Sequence, residues 1–260
     1  MKTVALITGA SSGIGKELAR IHAAKGGDLV IVARSEDKLN QLANELKEKY
    51  GTNVHIIAKD LSQLSAAEEI YNNVKAAGIE IEYLMNNAGF GGQGYFHERP
   101  WEQDLAMINV NITSLTALTR YFLPDMVARN KGRILNTSST AGFLPGPLQA
   151  VYYATKAYVN SFSNAIAQEL SNTNVTVTAL QPGATETEFA KTSGMDKTDL
   201  FNKTFSAHEV ALAGYNAMLA GKLDVVAGIT FSQRMMFPMM NLMPKKMLLK
   251  QIHKMQEVKN

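Results

Sequence analysis

Short apolar runs recur along the first 180 residues of the chain. They are rich in β-branched residues and nearly continuous rather than alternating: TVALIT (3–8), DLVIVA (28–33), NVHIIA (53–58), IEYLMN (81–86), GRILNTS (132–138) and NVTVTAL (174–180). Runs of this kind are typical of strands that are buried on both faces of a parallel sheet. The pattern therefore predicts at least six buried strands.

The stretches between these runs carry apolar residues at three- and four-residue steps, which is the spacing of an amphipathic helix. Examples are KELARIHAAK (16–25), EDKLNQLANELKEKY (36–50) and AAEEIYNNVKAA (66–77). Alternation of strands and helices, continuing past residue 180, predicts an α/β fold with a doubly wound parallel sheet and helices on both faces. No Pro- or Ser-rich linker and no repeat interrupts the pattern, which favours a single domain over two small ones.

Composition and charge narrow the class of protein. Hydrophobic residues make up 46% of the 260 residues, which argues against disorder. The net charge is +3, and the Lys and Arg residues do not form the clusters that nucleic-acid binding requires. The five histidines are scattered without metal-ligand spacing, so we expect no metal site. We also expect no nucleic-acid partner.

The absence of cysteine excludes disulfides and thiolate metal sites and is compatible with a reducing compartment. The apolar run at the N-terminus is too short for the core of a signal peptide, and no run reaches the ~18 residues of a membrane span. A cytoplasmic protein is the expectation, and membrane contact is not expected.

A glycine-rich segment, TGASSGIG (8–15), follows the first predicted strand and precedes the first predicted helix. Its glycines are spaced by four and two residues, unlike the GxGxxG pattern. Glycines at such a turn allow close approach of the backbone to a pyrophosphate, which then lies at the positive end of the helix. The segment predicts a dinucleotide-binding turn, and a glycine-rich turn without a ligand is the alternative.

The end of the second predicted strand indicates which dinucleotide would bind. An acidic residue there accepts hydrogen bonds from the ribose of NAD, whereas an arginine favours the 2′-phosphate of NADP. This strand ends at Ala33 and is followed by Arg34 and Ser35. Because a guanidinium can pair with a phosphate through two parallel hydrogen bonds, the sequence favours NADP over NAD. The alternative is an ordinary surface arginine.

Two adjacent tyrosines precede a lysine in VYYATK (151–156). Tyr152 and Lys156 are four residues apart and would share one face of a helix, whereas Tyr153 is rotated by about 100°. Taken alone, this spacing is a weak signal, because a tyrosine often packs beside a lysine stem without any chemistry.

The three motifs TGASSGIG (8–15), NNAG (86–89) and YYATK (152–156) occur in the order and on the elements typical of one family. The chain resembles the short-chain dehydrogenase/reductase superfamily over essentially all of residues 1–230. The resemblance implies a single Rossmann-type domain with about seven parallel strands. It also implies binding of NAD(P) and hydride transfer to or from carbonyls and alcohols.

The resemblance also implies a catalytic tetrad. The family has a serine thirteen residues before its tyrosine, which is Ser139 when counted from Tyr152 and Thr140 when counted from Tyr153. It therefore identifies Tyr152 as the acid. The family's asparagine, twenty-eight residues before the serine, matches Asn111, with Asn109 as the competitor and Ser114 in place of the usual glycine.

In that tetrad, Tyr152 exchanges a proton with the substrate oxygen and Ser139 donates a hydrogen bond to it. Lys156 stabilises the phenolate and bonds the nicotinamide ribose, and Asn111 holds a water in a proton relay. The implied cofactor is NADP(H), with these contacts: Gly9, Ser11, Ser12, Gly13, Ile14, Gly15, Arg34, Ser35, Asp60, Leu61, Asn87, Ala88, Gly89, Tyr152, Lys156, Pro182, Gly183, Thr185 and Thr187.

The substrate pocket and the C-terminus are less clearly marked. Residues 90–95, 142–147 and the segment after Thr187 are the expected walls, with these apolar candidates: Phe90, Phe143, Leu144, Phe189 and Met195. Beyond the catalytic domain (1–230), residues 231–260 form a Met-rich extension, since residues 231–255 hold seven of the 13 methionines, and Pro238 and Pro244 should interrupt any helix there. We expect it to pack on the domain or at a subunit interface. A cover over an apolar substrate and a basic membrane-surface helix are the alternatives.

These observations predict an NADP(H)-dependent oxidoreductase of the carbonyl reductase or alcohol dehydrogenase type, acting on an apolar small molecule. The family resemblance adds the expectation of a homodimer or homotetramer. A non-catalytic NADP-binding regulator of the same fold is the alternative, although the complete tetrad argues against it. An epimerase is disfavoured because such enzymes usually carry an added substrate lobe.

Overall fold

The structure is a computed structural model that describes residues 2–198, 201, 203–240 and 243–257, without the side chains of residues 197 and 236–240. In this part of the chain, seven parallel strands form one sheet in the order β3-β2-β1-β4-β5-β6-β7. The strands are β1 (Val4–Thr8), β2 (Asp28–Ala33), β3 (Val54–Ala58), β4 (Tyr83–Asn86), β5 (Gly132–Thr137), β6 (Val175–Pro182) and β7 (Asp224–Ala227). The strand order reverses between β1 and β4, which is the topological switch point of a Rossmann-type sheet.

The first eight helices connect successive strands and cover both faces of the sheet, and the last two follow β7. They are α1 (Gly13–Ala24), α2 (Glu36–Tyr50), α3 (Ala66–Ala76), α4 (Trp101–Ile108), α5 (Leu115–Ala128), α6 (Ala150–Glu169), α7 (Phe189–Ser193), α8 (Ala207–Leu219), α9 (Phe231–Met240) and α10 (Lys245–Gln256). Apolar residues of α1, α2 and α8 pack on one face, and those of α3 and α5 pack on the other. The predicted α/β fold with a doubly wound parallel sheet is confirmed.

The six predicted strands form β1 to β6, and the central residues are buried in all of them except β3, an edge strand in which only Ile57 is buried. β7 was not located from its own sequence, DVVA. It is only four residues long, and its first three residues are exposed or partly buried. A short edge strand of this kind lacks the continuous apolar run that marked the others.

None of the described helices combines the length and the apolar character that crossing a bilayer requires. The C-terminal extension forms α9 and α10, which lie on either side of Pro244. Leu248 and Ile252 of α10 are 4% and 5% exposed and pack together with Leu144 and Met243.

Met236, Met240, Met243 and Met247 recur at three- and four-residue steps in the sequence, which predicts a methionine stripe along one surface of a kinked helix. The side chains of Met236 and Met240 lie outside the described residues. Met243 packs against Leu248 and Ile252, whereas Met247 is 60% exposed. These two methionines do not share a surface, because Pro244 starts a new helix between them.

Deleting residues 231–260 is expected to lower the melting temperature by several degrees. Burying a leucine or isoleucine side chain contributes about 1.5–3 kcal/mol, and each kcal/mol corresponds to ~2–4 °C for a protein of this size. Differential scanning calorimetry of the truncated and intact proteins measures the difference. The matched point variants are Leu248→Ala, which should destabilise, and Met247→Ala at an exposed position of the same helix, which should not. A truncated protein that melts like the intact one, with the same oligomeric mass, would contradict this.

Candidate active site

The carboxyl ends of the strands open into a cavity of about 620 Å³. This is the edge at which doubly wound sheets bind ligands. All of the predicted site residues except Gly15 and Asn111 line it: Gly9, Ser11, Ser12, Gly13, Ile14, Arg34, Ser35, Asp60, Leu61, Asn87, Ala88, Gly89, Ser139, Tyr152, Lys156, Pro182, Gly183, Thr185 and Thr187. The structure thus brings residues from the ends of six strands, β1 to β6, to one cavity.

The glycine turn after β1 has the shape of a cradle for an anion. Gly9 and Gly13 have φ values of +68° and +51°, and added Cβ atoms would lie 2.9 Å from Ala88 Cα and 2.8 Å from Thr187 Cγ2. Ser12 precedes α1 without capping it through its side chain, so N–H groups of the first turn keep their bonding capacity. These free donors and the positive end of the helix fit the pyrophosphate of a dinucleotide.

Gly15 does not line the cavity. A Cβ at this position would overlap the carbonyl of Gly9 and the side-chain amide of Asn87. Its contribution to the predicted cofactor site is therefore packing, because it lets α1 approach the turn and the segment after β4.

The end of β2 presents positive charge to the cavity. Arg34 is exposed and makes no hydrogen bond or ion pair with any residue that the structure describes. Ser35 lines the same wall, although its hydroxyl also accepts a hydrogen bond from Lys38 N at 3.5 Å as the cap of α2. Asp60 Oδ1 accepts a hydrogen bond from Ser62 N at 2.9 Å. An unpaired guanidinium on this wall has the chemistry to bind a phosphate.

Sequence reasoning missed Lys38, which lies in the first turn of α2. Its Nζ donates to Glu188 Oε1 and Oε2 at 3.0 and 3.2 Å, and both residues line the cavity. The ion pair therefore spans the cavity from α2 to the start of α7. The one feature of the sequence that could have indicated a role for Lys38 is its position shortly after β2. Its partner, Glu188, is 150 residues away, so no local pattern connects the two.

Tyr152 and Lys156 share one face of α6, as their spacing predicted, and both are buried. Lys156 Nζ lies 5.8 Å from the centroid of the Tyr152 ring and donates to the Thr137 carbonyl at 2.8 Å. Ser139 Oγ donates to the Pro182 carbonyl at 3.3 Å and accepts from Ala141 N at 3.1 Å. The three side chains converge on the cavity at the end of β5.

Burial governs the protonation of this cluster. It raises the pKa of Tyr152 to about 12, against an opposing effect of the hydrogen bond with Ser139. It also lowers the pKa of Lys156 to about 8. The expected stabilisation of the phenolate by Lys156 is not visible in this structure, because the ammonium group is directed at the Thr137 carbonyl. A phenol that keeps its proton can act as an acid, and a lysine that titrates near neutral pH can relay one.

Asn111 lies behind the cavity wall, on a π-helical turn (Asn109–Ser114) between α4 and α5. Its Nδ2 donates to the Phe90 carbonyl and to Thr155 Oγ1, and its Oδ1 accepts from Phe90 N, all at 3.0–3.1 Å. An added Cβ on Gly89 would lie 3.1 Å from Asn111 Oδ1 and 3.3 Å from Lys156 Nζ. Asn111 and Lys156 therefore approach each other around Gly89.

The competing residue, Asn109, is directed elsewhere and donates to the Ser62 carbonyl at 3.1 Å. The geometry thus favours Asn111 as the asparagine of the tetrad. The π-helical turn itself had no sequence signal, although such turns occur frequently at functional sites.

The remaining part of the cavity is apolar. Phe90, Phe189 and Met195 line it as predicted, and Phe201 and Tyr153 do so as well. The Phe189 ring centroid lies 5.3 Å from that of Tyr152, so aromatic contacts begin directly beside the predicted acid. Two predicted wall residues, Phe143 and Leu144, are not among the lining residues, and Leu144 instead packs against α10.

Comparison with known proteins agrees with this geometry. A family model described as short chain dehydrogenase matches residues 3–198. The very-long-chain 3-oxoacyl-CoA reductase of Mus musculus is 40% identical over 193 residues, which cover 72% of this chain and 61% of the mouse protein. The protein of the same name from Anas platyrhynchos is 35% identical over 251 residues, covering 93% of this chain and 78% of the duck protein. The chain thus spans about three fifths of the length of the mouse relative.

Solved structures of short-chain dehydrogenases also superpose on this chain. A short-chain dehydrogenase from Sphingobium yanoikuyae in complex with NADPH superposes with a TM-score of 0.82 at 32% identity, covering 90% of this chain and 91% of that one. One from Burkholderia phymatum in complex with NAD superposes with a TM-score of 0.79 at 25% identity, covering 86% and 88%. Both cofactors therefore occur among similar structures.

Proposed function

The chain belongs to the short-chain dehydrogenase family, and on this basis we propose that it is an NADP(H)-dependent reductase of an apolar carbonyl compound. The observation that carries the proposal is the convergence of Tyr152, Lys156 and Ser139 on the cavity that the glycine turn also lines. An acid, a relay and a hydrogen-bond donor beside a dinucleotide cradle constitute the machinery for carbonyl reduction.

The apolar half of the cavity supports a substrate class. Aromatic and methionine side chains surround Tyr152, and the lysine nearest to the reacting region, Lys156, is already bonded to Thr137. A long-chain 3-oxoacyl thioester, the compound named for the mouse and duck relatives, places a ketone next to an apolar chain. We therefore favour 3-oxoacyl thioesters as the first substrates to test.

The chain's own residues perform the proton chemistry. A nicotinamide dinucleotide bound in the cradle supplies the hydride. Tyr152 donates its proton to the carbonyl oxygen, while Ser139 donates a hydrogen bond to the same oxygen as negative charge develops there. Lys156 returns a proton to Tyr152, and Asn111 orients the relay behind Gly89. Burial of Tyr152 favours the direction of carbonyl reduction, because the raised pKa keeps the phenol protonated until the carbonyl oxygen accepts the proton.

The proposed preference for NADP(H) depends on Arg34, since relatives bind either cofactor. Arg34→Ala is expected to weaken NADPH binding about ten- to a hundredfold, because a charge-assisted hydrogen bond contributes roughly 1.5–3 kcal/mol. NADH, which lacks the 2′-phosphate, should bind the variant and the wild type equally and serves as the internal control. Isothermal titration of both cofactors measures the ratio. Equal affinity of the wild type for NADH and NADPH would refute the preference.

Loss of NADPH absorbance in the presence of ketones, aldehydes and 3-oxoacyl-CoA of increasing chain length tests the activity. We expect turnover of apolar carbonyls, with kcat/KM rising with chain length. Binding of NADPH without turnover of any compound in the panel would contradict the proposal and favour a regulatory protein of the same fold.

A further inference from the structure

The last residue of α10 is the centre of a buried polar cluster. Gln256 is fully buried, and its Nε2 donates to the hydroxyl of Tyr153 at 2.9 Å. Its Oε1 accepts from Gln149 Nε2 at 2.9 Å, and its backbone carbonyl accepts from Gln93 Nε2. Both polar atoms of the side chain and the backbone carbonyl therefore have partners.

The partners of Gln256 belong to two separate segments, each of which contributes a residue to the cavity wall, Phe90 and Tyr153. Gln93 lies in the segment after β4, and Gln149 and Tyr153 flank the start of α6. The two segments are also joined directly, because Gly94 N donates to the Leu148 carbonyl at 2.9 Å. α10 thus joins these two segments through one residue, because the backbone carbonyl of Gln256 binds the first segment and its side chain binds the second.

Apolar contacts of α10 support the same attachment. Leu248 and Ile252 pack on Leu144, which lies in the segment between β5 and α6. The ring of His253 meets that of Tyr95 edge-on, with centroids 6.1 Å apart. The helix therefore contacts both loops with an apolar face, and Gln256 makes the polar connection at its end.

Tyr153 connects α10 with the cavity, because its hydroxyl bonds Gln256 and its ring lines the cavity beside Tyr152. The two rings meet edge-on with centroids 6.1 Å apart, and a Cβ on Gly146 would overlap the Tyr153 ring. Its hydroxyl makes its one recorded hydrogen bond, among the described residues, with Gln256. Tyr153 is partly buried, and a hydroxyl that is shielded from water carries a desolvation cost when it loses its partner. We therefore expect the Tyr153 ring to move when the Gln256 amide is removed.

We propose that Gln256 is a positioning residue of the substrate site, and that it acts by holding Tyr153 in place as a wall for the apolar chain. The inference rests on the proposed function, because it assumes an apolar carbonyl substrate beside Tyr152. Gln256 does not line the cavity, so its effect is indirect. The C-terminal helix is then part of the substrate site rather than an appendage of the fold.

A double-mutant cycle tests the coupling. Gln256→Met keeps the length of the side chain without its amide, and Tyr153→Phe breaks the same hydrogen bond from α6. Each single variant should raise KM for a long-chain 3-oxoacyl-CoA about three- to tenfold, the range that one buried hydrogen bond supports. kcat should change by less than twofold, and KM for acetoacetyl-CoA should change less than KM for the long chain. The double variant should resemble Gln256→Met alone, because that variant already removes the hydrogen bond that Tyr153→Phe breaks, together with the bond from Gln149.

The matched control is Gln251→Met, an exposed glutamine on the same helix for which the structure records no hydrogen bond. It should leave both KM values unchanged. Additive effects of the two site variants, or equal changes of KM for the long- and short-chain substrates, would overturn the inference. A loss of kcat with unaltered KM would overturn it as well.

Hydrogen exchange of residues 245–256 separates this inference from the proposed activity. Tyr153→Phe should increase exchange in α10 although the variant lies outside that helix, and unchanged exchange overturns the inference. A wild-type protein that reduces no compound of the panel overturns the proposed function instead, and the exchange comparison still decides whether Tyr153 anchors α10.

Discussion

Tyr152→Phe is expected to reduce kcat about a thousandfold, within the 10²–10⁴ range for loss of a positioned acid. The variant keeps the aromatic ring and its contact with Phe189, so the shape of the cavity is preserved. It removes the hydroxyl that, in the proposed reaction, donates the proton to the carbonyl oxygen. NADPH binding should remain nearly intact, because the glycine turn and Arg34 are unchanged.

Tyr153→Phe is the matched control, since it removes the same atom from the next residue of the same helix. Its hydroxyl bonds Gln256 rather than the reacting centre, so kcat should stay within about twofold of the wild type while KM for long chains rises. Steady-state kinetics of both variants, together with NADPH titrations, distinguishes the two tyrosines. Comparable losses of kcat would show that the four-residue spacing to Lys156 misidentified the acid.

Lys156→Met is expected to have opposite effects on activity and on stability. We expect kcat to fall by about a hundredfold or more, because the relay to Tyr152 is lost. The cofactor-free protein, by contrast, should be as stable at pH 7 as the wild type or more stable. Burial lowers the pKa of Lys156 from 10.5 to about 8, so keeping the lysine charged in the fold costs roughly 3 kcal/mol. Methionine removes this cost, although the Thr137 carbonyl then loses its donor, at about 1–3 kcal/mol.

The pH dependence of the stability difference between the wild type and Lys156→Met shows whether the buried charge causes that difference. Between the folded pKa near 8 and the unfolded value of 10.5, the unfolded state binds more protons at Lys156 than the folded state does. The stability of the wild type relative to Lys156→Met therefore rises as the pH increases through this range. Urea denaturation at pH 7 and pH 10 measures the two differences. A methionine variant that is destabilised equally at both values would show that the buried charge carries no such cost.

Local pattern was sufficient for the parts of the fold that are buried on both faces. β1 to β6 are continuous apolar runs, and Tyr152 and Lys156 are placed on one side of α6 by helical periodicity alone. The position of the glycine turn between β1 and α1 was also predicted from local pattern, whereas its binding of a dinucleotide stays a prediction. The choice of Tyr152 over Tyr153 by the thirteen-residue spacing from Ser139 required the family resemblance.

Contacts between distant segments could not be predicted. Gln256 and Tyr153 are 103 residues apart, and Lys38 and Glu188 are 150 residues apart, so no local pattern connects them. Leu144 was expected to line the substrate pocket, but it packs against α10. The sequence of α10 has no motif that would have indicated this contact. The resemblance located Asn111 by counting, but the unusual backbone around it depends on packing between α4, α5 and α6.

The π-helical turn at Asn109–Ser114 inserts one more residue than a continuous α-helix would place between α4 and α5. Each residue of an α-helix turns the chain by about 100°. Deleting one residue from this turn would regularise the helix and rotate α4 by that angle relative to α5. Ala106 and Val110, which line the cavity, would then face another direction. The cavity wall is therefore intolerant of any change in length here, so natural variants should keep the number of residues between α4 and α5 constant even where residues other than Asn111 differ.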